Sequence, residues 1–169
     1  PLVASPADGA GAVLFSVGSA LNQSVSGNVG MRDNAQEIVA FYLNSALALS
    51  PDSADVMILL GNVADGAGKP EKAIEYYRKV DPASPMHRVS ELQLGLDLSQ
   101  TGKSDEAERH LKNLIAEDPS DFRSYLALGS VYADKENYAA MASTYDDAVK
   151  AIGPNPTRGQ WAVFYQRGI

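Results

Sequence analysis

The sequence predicts an all-α solenoid built from antiparallel helix pairs, and three spacings carry that prediction. Leu-Gly dipeptides occur at Leu60-Gly61, Leu94-Gly95 and Leu128-Gly129, each 34 residues after the last. Gly68 and Gly102 keep the same interval, and so do Pro85 and Pro119. A glycine inside a helix costs roughly 1 kcal/mol relative to alanine. Its return in one phase of an amphipathic pattern marks a place where two helices come too close for a side chain. A period in the 20–50 range is the mark of a repeat architecture.

The elements follow in order. Residues 1–11 are small and rich in Gly and Pro, which predicts a flexible N-terminal tail. Residues 12–53 form an irregular unit: Gly18 fits a first helix, and Val39, Leu43, Ala46, Leu47 and Pro51 fit a second. The polar, Gly-rich stretch from Ser24 to Gly30 predicts a long loop between them. Three regular units follow at 54–87, 88–121 and 122–155. In each, the first helix ends at a turn, and the second carries Tyr77, Leu111 or Tyr145. Ala73 and Ala107 occupy a small-residue slot four positions earlier, where the last unit has Met141. Pro82 and Pro85 cannot sit in a helix interior, so the second helix of 54–87 should be short. Residues 156–160 read as a loop. Residues 161–169 read as a truncated first helix, with Arg167-Gly168 standing where Leu-Gly is expected. The missing initiator Met and a stop inside a helical pattern predict a piece of a longer protein.

Short helices rarely persist alone in water, so stacking must supply the stability. The predicted core includes Val17, Leu43, Met57, Tyr77, Leu94, Leu98, Leu111, Tyr125, Tyr132 and Tyr145.

The order Leu-Gly, aromatic, Ala, aromatic, Pro at this period resembles the tetratricopeptide repeat. The family's leading bulky residue appears as Met57 and Tyr125, with Glu91 a poor match. Its first-helix Tyr appears as Tyr132, replaced by Ala64 and Leu98 in the neighbouring units. The resemblance implies a right-handed superhelix whose first helices line a concave, peptide-binding face. The run of motifs is similar in style to long repeat proteins of alphaproteobacteria, some linked to the cell envelope. That implies a periplasmic setting, with the cytoplasm as the alternative.

Composition narrows the function. The net charge is −7 and the 14 Lys and Arg are scattered, which disfavours nucleic acid as a partner. The longest apolar run, Val56 to Leu60, is far short of the ~20 residues of a membrane span, so no membrane insertion is expected. With no cysteine there is no disulfide, thiolate metal site or Cys nucleophile. Thr101-Gly102-Lys103-Ser104 contains Gly-Lys-Ser, but Asp97 stands where a phosphate loop needs Gly, and a helix precedes it. His87 and His110 lack partners at metal-ligand spacing and read as surface residues, and Tyr76-Tyr77 reads as one surface and one core residue. Asp146-Asp147 and Glu117-Asp118 are adjacent pairs that diverge on a helix and read as solvated faces. No catalytic residue, cofactor or metal is expected, and the chain reads as no enzyme.

In the family, the residue three before the helix glycine points into the groove. That slot holds Phe15, Ile58, Leu92, Leu126 and Tyr165 here. One turn on stand Ser19, Asn62, Leu96 and Ser130, with Arg123 close by. Only Asn62 resembles the Lys and Asn set with which some members clamp a C-terminal carboxylate, so that mode is disfavoured. A mildly apolar groove for an extended peptide or helix remains. The same stripe also reads as packing between helices. The leading expectation is a non-enzymatic interaction scaffold for a protein or peptide. The rivals are an accessory, substrate-recruiting module of an enzyme, and an array that self-associates through its terminal repeats.

Overall fold

The computed structural model describes residues 5–26 and 32–168. These form α1 (Pro6–Ser26), α2 (Arg32–Leu49), α3 (Ala54–Gly66), α4 (Pro70–Tyr77), α5 (His87–Gln100), α6 (Ser104–Glu117), α7 (Phe122–Asp134), α8 (Tyr138–Ile152), a 3-10 turn (Arg158–Gln160) and α9 (Trp161–Arg167). No strand occurs among the described residues, so the all-α expectation holds. Two compact units divide within α5, after Ser90.

The first unit begins earlier than its sequence suggested. Helix α1 starts at Pro6, so residues 6–11, expected in a tail, are helical. It also runs to Ser26, through part of the expected loop. Residues 27–31 lie outside the described ones. A Cβ on Gly18 would stand 2.9 Å from Leu43 Cδ2, and one on Gly11 would stand 2.8 Å from Ser50 Oγ. Early α1 thus meets late α2, and the middle of α1 meets the middle of α2, so the two helices are antiparallel. Their common core joins Val39, Leu43 and Ala46 to Val56, Leu60 and Val63 of α3, with Tyr76 of α4. Val17, expected in this core, is 37% exposed, because α1 turns Leu14, Phe15 and Leu21 inward instead.

Helix α4 is short, 8 residues against 14 in α6 and 15 in α8. Pro70 opens it, where a missing N–H does no harm, and the Asp81-Pro82 step forbids its extension. Tyr76 is buried beside Tyr77, at 8% exposure, which corrects its assignment to the surface. Tyr76 packs on the core of α2 and α3, and the Tyr77 ring lies against Gly61.

In the second unit, Gly95 of α5 faces Leu111 of α6, and Gly129 of α7 faces Tyr145 of α8. Asp121 caps α7 by accepting from Arg123 N, and Asn137 caps α8 by accepting from Ala140 N. Val163 of α9 is fully buried against Tyr125 and Ala148, with Ile115, Phe122 and Val149 around it. Arg167 pairs with Asp146, which is therefore not a free solvated charge, while Asp147 pairs with Lys150 at 2.9 Å. Gly168 has φ 82 and caps α9.

The turns repeat as closely as the helices. Gly68 and Gly102 have φ 69 and 78, and Lys69 N and Lys103 N bond back to Ala64 O and Leu98 O. The Gly-Lys of Thr101–Ser104 is this turn, closing one helix and opening the next. One period on, Glu136 takes the same left-handed place at φ 55, with Asn137 N bonded to Tyr132 O.

Candidate interaction surfaces

The side chains expected to line a groove have unequal freedom. In the first unit Ile58 is 6% exposed, so packing claims it and it is withdrawn from an open surface. Phe15 is partly buried against the core, and Ser19 is half-buried. Asn62 is exposed but engaged: its side chain lies 2.8 Å from the Tyr77 hydroxyl, which is also 2.8 Å from Asp65 Oδ2. A phenol has one proton. Donated to the Asp65 carboxylate, it leaves the oxygen able to accept from the Asn62 amide in its flipped orientation. Tyr77 thus reaches across α3 from its ring at Gly61 to a polar end on the same helix.

In the second unit Leu92 and Leu96 of α5 are half-buried, and Ser130 of α7 is exposed. Leu126 packs partly on the core of Tyr125, Ala148 and Val163. Arg123 is exposed and held to Asp121 at 2.9 Å. That neighbour's carboxylate holds the guanidinium above its ordinary value. Tyr165 of α9 is 81% exposed.

Two polar clusters of this unit escaped the sequence reading. Glu108 of α6 accepts from Lys112 at 2.7 Å, from Tyr132 at 2.9 Å and from Lys135 at 3.1 Å. Lys135 also reaches Asp105 at 2.8 Å. The Lys112 hydrogen bond, with those of Lys135 and Tyr132, outweighs burial and holds the Glu108 carboxyl at about 2. Glu108 and Lys112 form an i,i+4 pair on α6, but Tyr132 of α7 and Lys135 just past its end join at separations of 24 and 27 residues, which no single-helix rule detects.

The second cluster joins His110 Nδ1 to Glu91 at 2.5 Å, with Glu106 3.8 Å from Nε2. His110 is therefore a half-buried, paired side chain and not a bare surface one. Glu91 and His110 stand in the repeat where Met57 and Tyr76, and Tyr125 and Thr144, stand in the neighbouring units. The poor match at Glu91 and the histidine at position 110 are the two halves of one contact. Among the described residues no cluster of three or more metal-ligating side chains occurs, and no helix is long and apolar enough to cross a membrane.

Helix hairpins repeated at 34 residues and locked glycine to large side chain define a helical-repeat module. The tetratricopeptide-repeat profile matches residues 42–86 and 92–156, and the chain belongs to that family. The bovine (Bos taurus) BBSome complex member BBS4 is 30% identical over 73% of this chain and 23% of its own length. The human (Homo sapiens) protein O-mannosyl-transferase TMTC1 is 24% identical over 68% of this chain and 13% of its own. The chain thus spans under a quarter of these relatives. Among solved structures, Pseudomonas aeruginosa pilF superposes with a TM-score of 0.69 at 21% identity, over 96% of this chain and 68% of that one. YrrB, described as a repeat protein with an unusual peptide-binding site, gives 0.66 at 19% identity over 94% and 89%. MamA gives 0.68 at 19% over 84% and 73%. At these identities the structures share the fold.

Proposed function

We propose that the chain is a non-enzymatic scaffold that grips a peptide or helix of a protein partner on its first helices. The observation that carries this reading is the half-exposure of Leu92 and Leu96 on α5, with Ser130 of α7 exposed in the same unit. A stable core buries its leucines fully, as it does Leu94 and Leu98 on the other side of α5. A stripe left half open, with a polar rim, suits an apolar peptide side chain set between hydrogen-bonding groups. Phe15, Ser19 and Asn62 would serve the same role in the first unit, while Leu126, Arg123 and Tyr165 would border the second. The test is capture of a partner from native lysate by wild type and by Leu96→Glu with Ser130→Arg. Both positions are accessible, so the variant should keep its helical circular dichroism and lose the specific partner. Equal recovery by both would contradict the reading.

A second reading has one observation in its favour. TMTC1 is a transferase of which the matching segment covers 13%, so this repeat can serve as one part of a larger enzyme. An accessory module would recruit substrate to a catalytic domain on the same or a neighbouring chain. A catalytic partner in the captured material distinguishes it from a plain scaffold. We place the protein in the periplasm on the style of its repeats, with a role at the cell envelope. Fractionation of the source cells tests that setting against the cytoplasm.

A further inference from the structure

The Tyr132 cluster of the second unit has an empty counterpart in the first. Two periods before Tyr132, Glu108 and Lys135 stand Ala64, Ala40 and Ala67. The register rests on geometry as well as on counting, since Leu43 faces Gly18 as Leu111 faces Gly95. Where the second unit sets a phenol over a carboxylate and clasps it with an ammonium, the first has three methyl groups. An open cavity of about 340 Å³ results between α2, α3 and α4, floored by Leu60 and Val63. That is within the size of small-ligand sites, roughly 300–1,000 Å³.

Its walls are not neutral. Lys69 and Lys72 line one side and Glu37 of α2 the other, one turn from Ala40. The Lys72 ammonium lies 5.2 Å from the centre of the Tyr76 ring and 2.6 Å from Glu75. An oily hollow shaped by the loss of a tyrosine, with two ammonium groups at its mouth, complements one kind of guest.

We infer that this cavity receives a tyrosine side chain of a partner segment that carries a carboxylate beside it. The ring lies on Ala64 and Leu60, in the place that Tyr132 fills from within in the second unit. The hydroxyl donates to Glu37, as the Tyr132 hydroxyl donates to Glu108. The neighbouring carboxylate is met by Lys69 and Lys72. None of these residues belongs to the first-helix surface proposed above, so either site can fail without the other.

The probes are 4-hydroxyphenylacetate and p-cresol, added to full-length protein with labelled alanine methyls. Saturable shifts at the Ala40, Ala64 and Ala67 methyls are expected with both, and tighter binding with the acid. Ala64→Tyr fills the hollow with the chain's own phenol and should abolish the shifts at Ala40 and Ala67 while the protein stays helical. Lys69→Glu with Lys72→Glu, both at the surface, should weaken the acid at least fivefold and leave p-cresol within twofold. Wild-type methyls that show no saturable shift overturn the proposal, whatever the variants do. So does undiminished binding to folded Ala64→Tyr. Light scattering settles the remaining rival: dimers that Tyr138→Ala dissolves, with release of the cavity methyls, would give the hollow to a second copy and overturn the partner assignment.

Discussion

Gly129 of α7 lies against the hydroxyl end of the Tyr145 ring on α8, so close that a Cβ there would stand 2.5 Å from Cε1. Gly61 and Tyr77 repeat this contact, with Tyr77 Cζ 2.5 Å from the same imagined atom. At Gly95 the partner is Leu111, whose Cδ2 would be 2.8 Å away. The glycine precedes its partner by 16 residues in all three and by 25 in the Gly18–Leu43 pair. The longer first hairpin thus keeps the contact and absorbs its extra residues elsewhere. Two tyrosines and two leucines fill one role, because the role is to cover a bare stretch of backbone.

Glu136 offers a stabilising change. It sits at φ 55 in the turn where the two earlier repeats have glycine. A side chain in that region costs about 1 kcal/mol. The Glu136→Gly substitution relieves it and should raise stability by roughly 0.5–1 kcal/mol, against the small entropy cost of glycine in the unfolded chain. Urea unfolding checks this, with a higher midpoint and an unchanged slope expected. A lower midpoint would show that the side chain contributes more than its backbone costs.

Glu108 should make the protein acid-sensitive over a defined interval. Its folded carboxyl titrates at about 2, below the ordinary 4.5, so its contribution is complete above 4.5 and fades as pH falls toward 2. Discounted for partly exposed lysine partners, that contribution is on the order of 1–2 kcal/mol. Glu108→Gln should therefore be less stable than wild type at pH 7 by about that much. The two proteins should converge near pH 2. A gap independent of pH would assign the loss to packing.

Glu91 and His110 should behave as a pair. Glu91→Met alone strips His110 of its 2.5 Å partner, and His110→Tyr alone leaves a half-buried carboxylate without its own. Each single change should cost about 1–2 kcal/mol. The double change restores the Met-Tyr combination of the repeat before it and should recover at least half of the summed loss. Strict additivity in thermal unfolding would mean that the two side chains do not act together.

How far the chain could be read beforehand depended on distance along it. The 34-residue glycines, the turn glycines and the stop at Pro82 are local signals, and they located the helix pairs. Contacts between helices fared less well. The half-buried His110 and the carboxylate of Glu108 each depend on a residue on another helix, 19 and 24 positions away, which no periodicity reveals. Helix α1 ran past both predicted ends because Ala, Gly and Ser there are tolerated when one face packs on α2. Among the groove candidates, Ile58 and exposed Tyr165 share one apolar signature and differ only in whether a neighbour covers them. The hollow at Ala64 was visible as a departure from the pattern, yet its meaning needed the Glu108–Tyr132 contact beside it.

The most direct test of the helix-pair lock is a thermodynamic cycle on Gly129→Ala and Tyr145→Leu, measured by equilibrium urea unfolding. Against the rigid ring, Gly129→Ala should cost about 2–3 kcal/mol, as overpacking does. In the Tyr145→Leu background, where a flexible leucine stands as Leu111 does at Gly95, the same change should cost less than half as much. Equal costs in the two backgrounds would mean that the glycine and the ring do not hold the hairpin together, and the account of the repeat would fail.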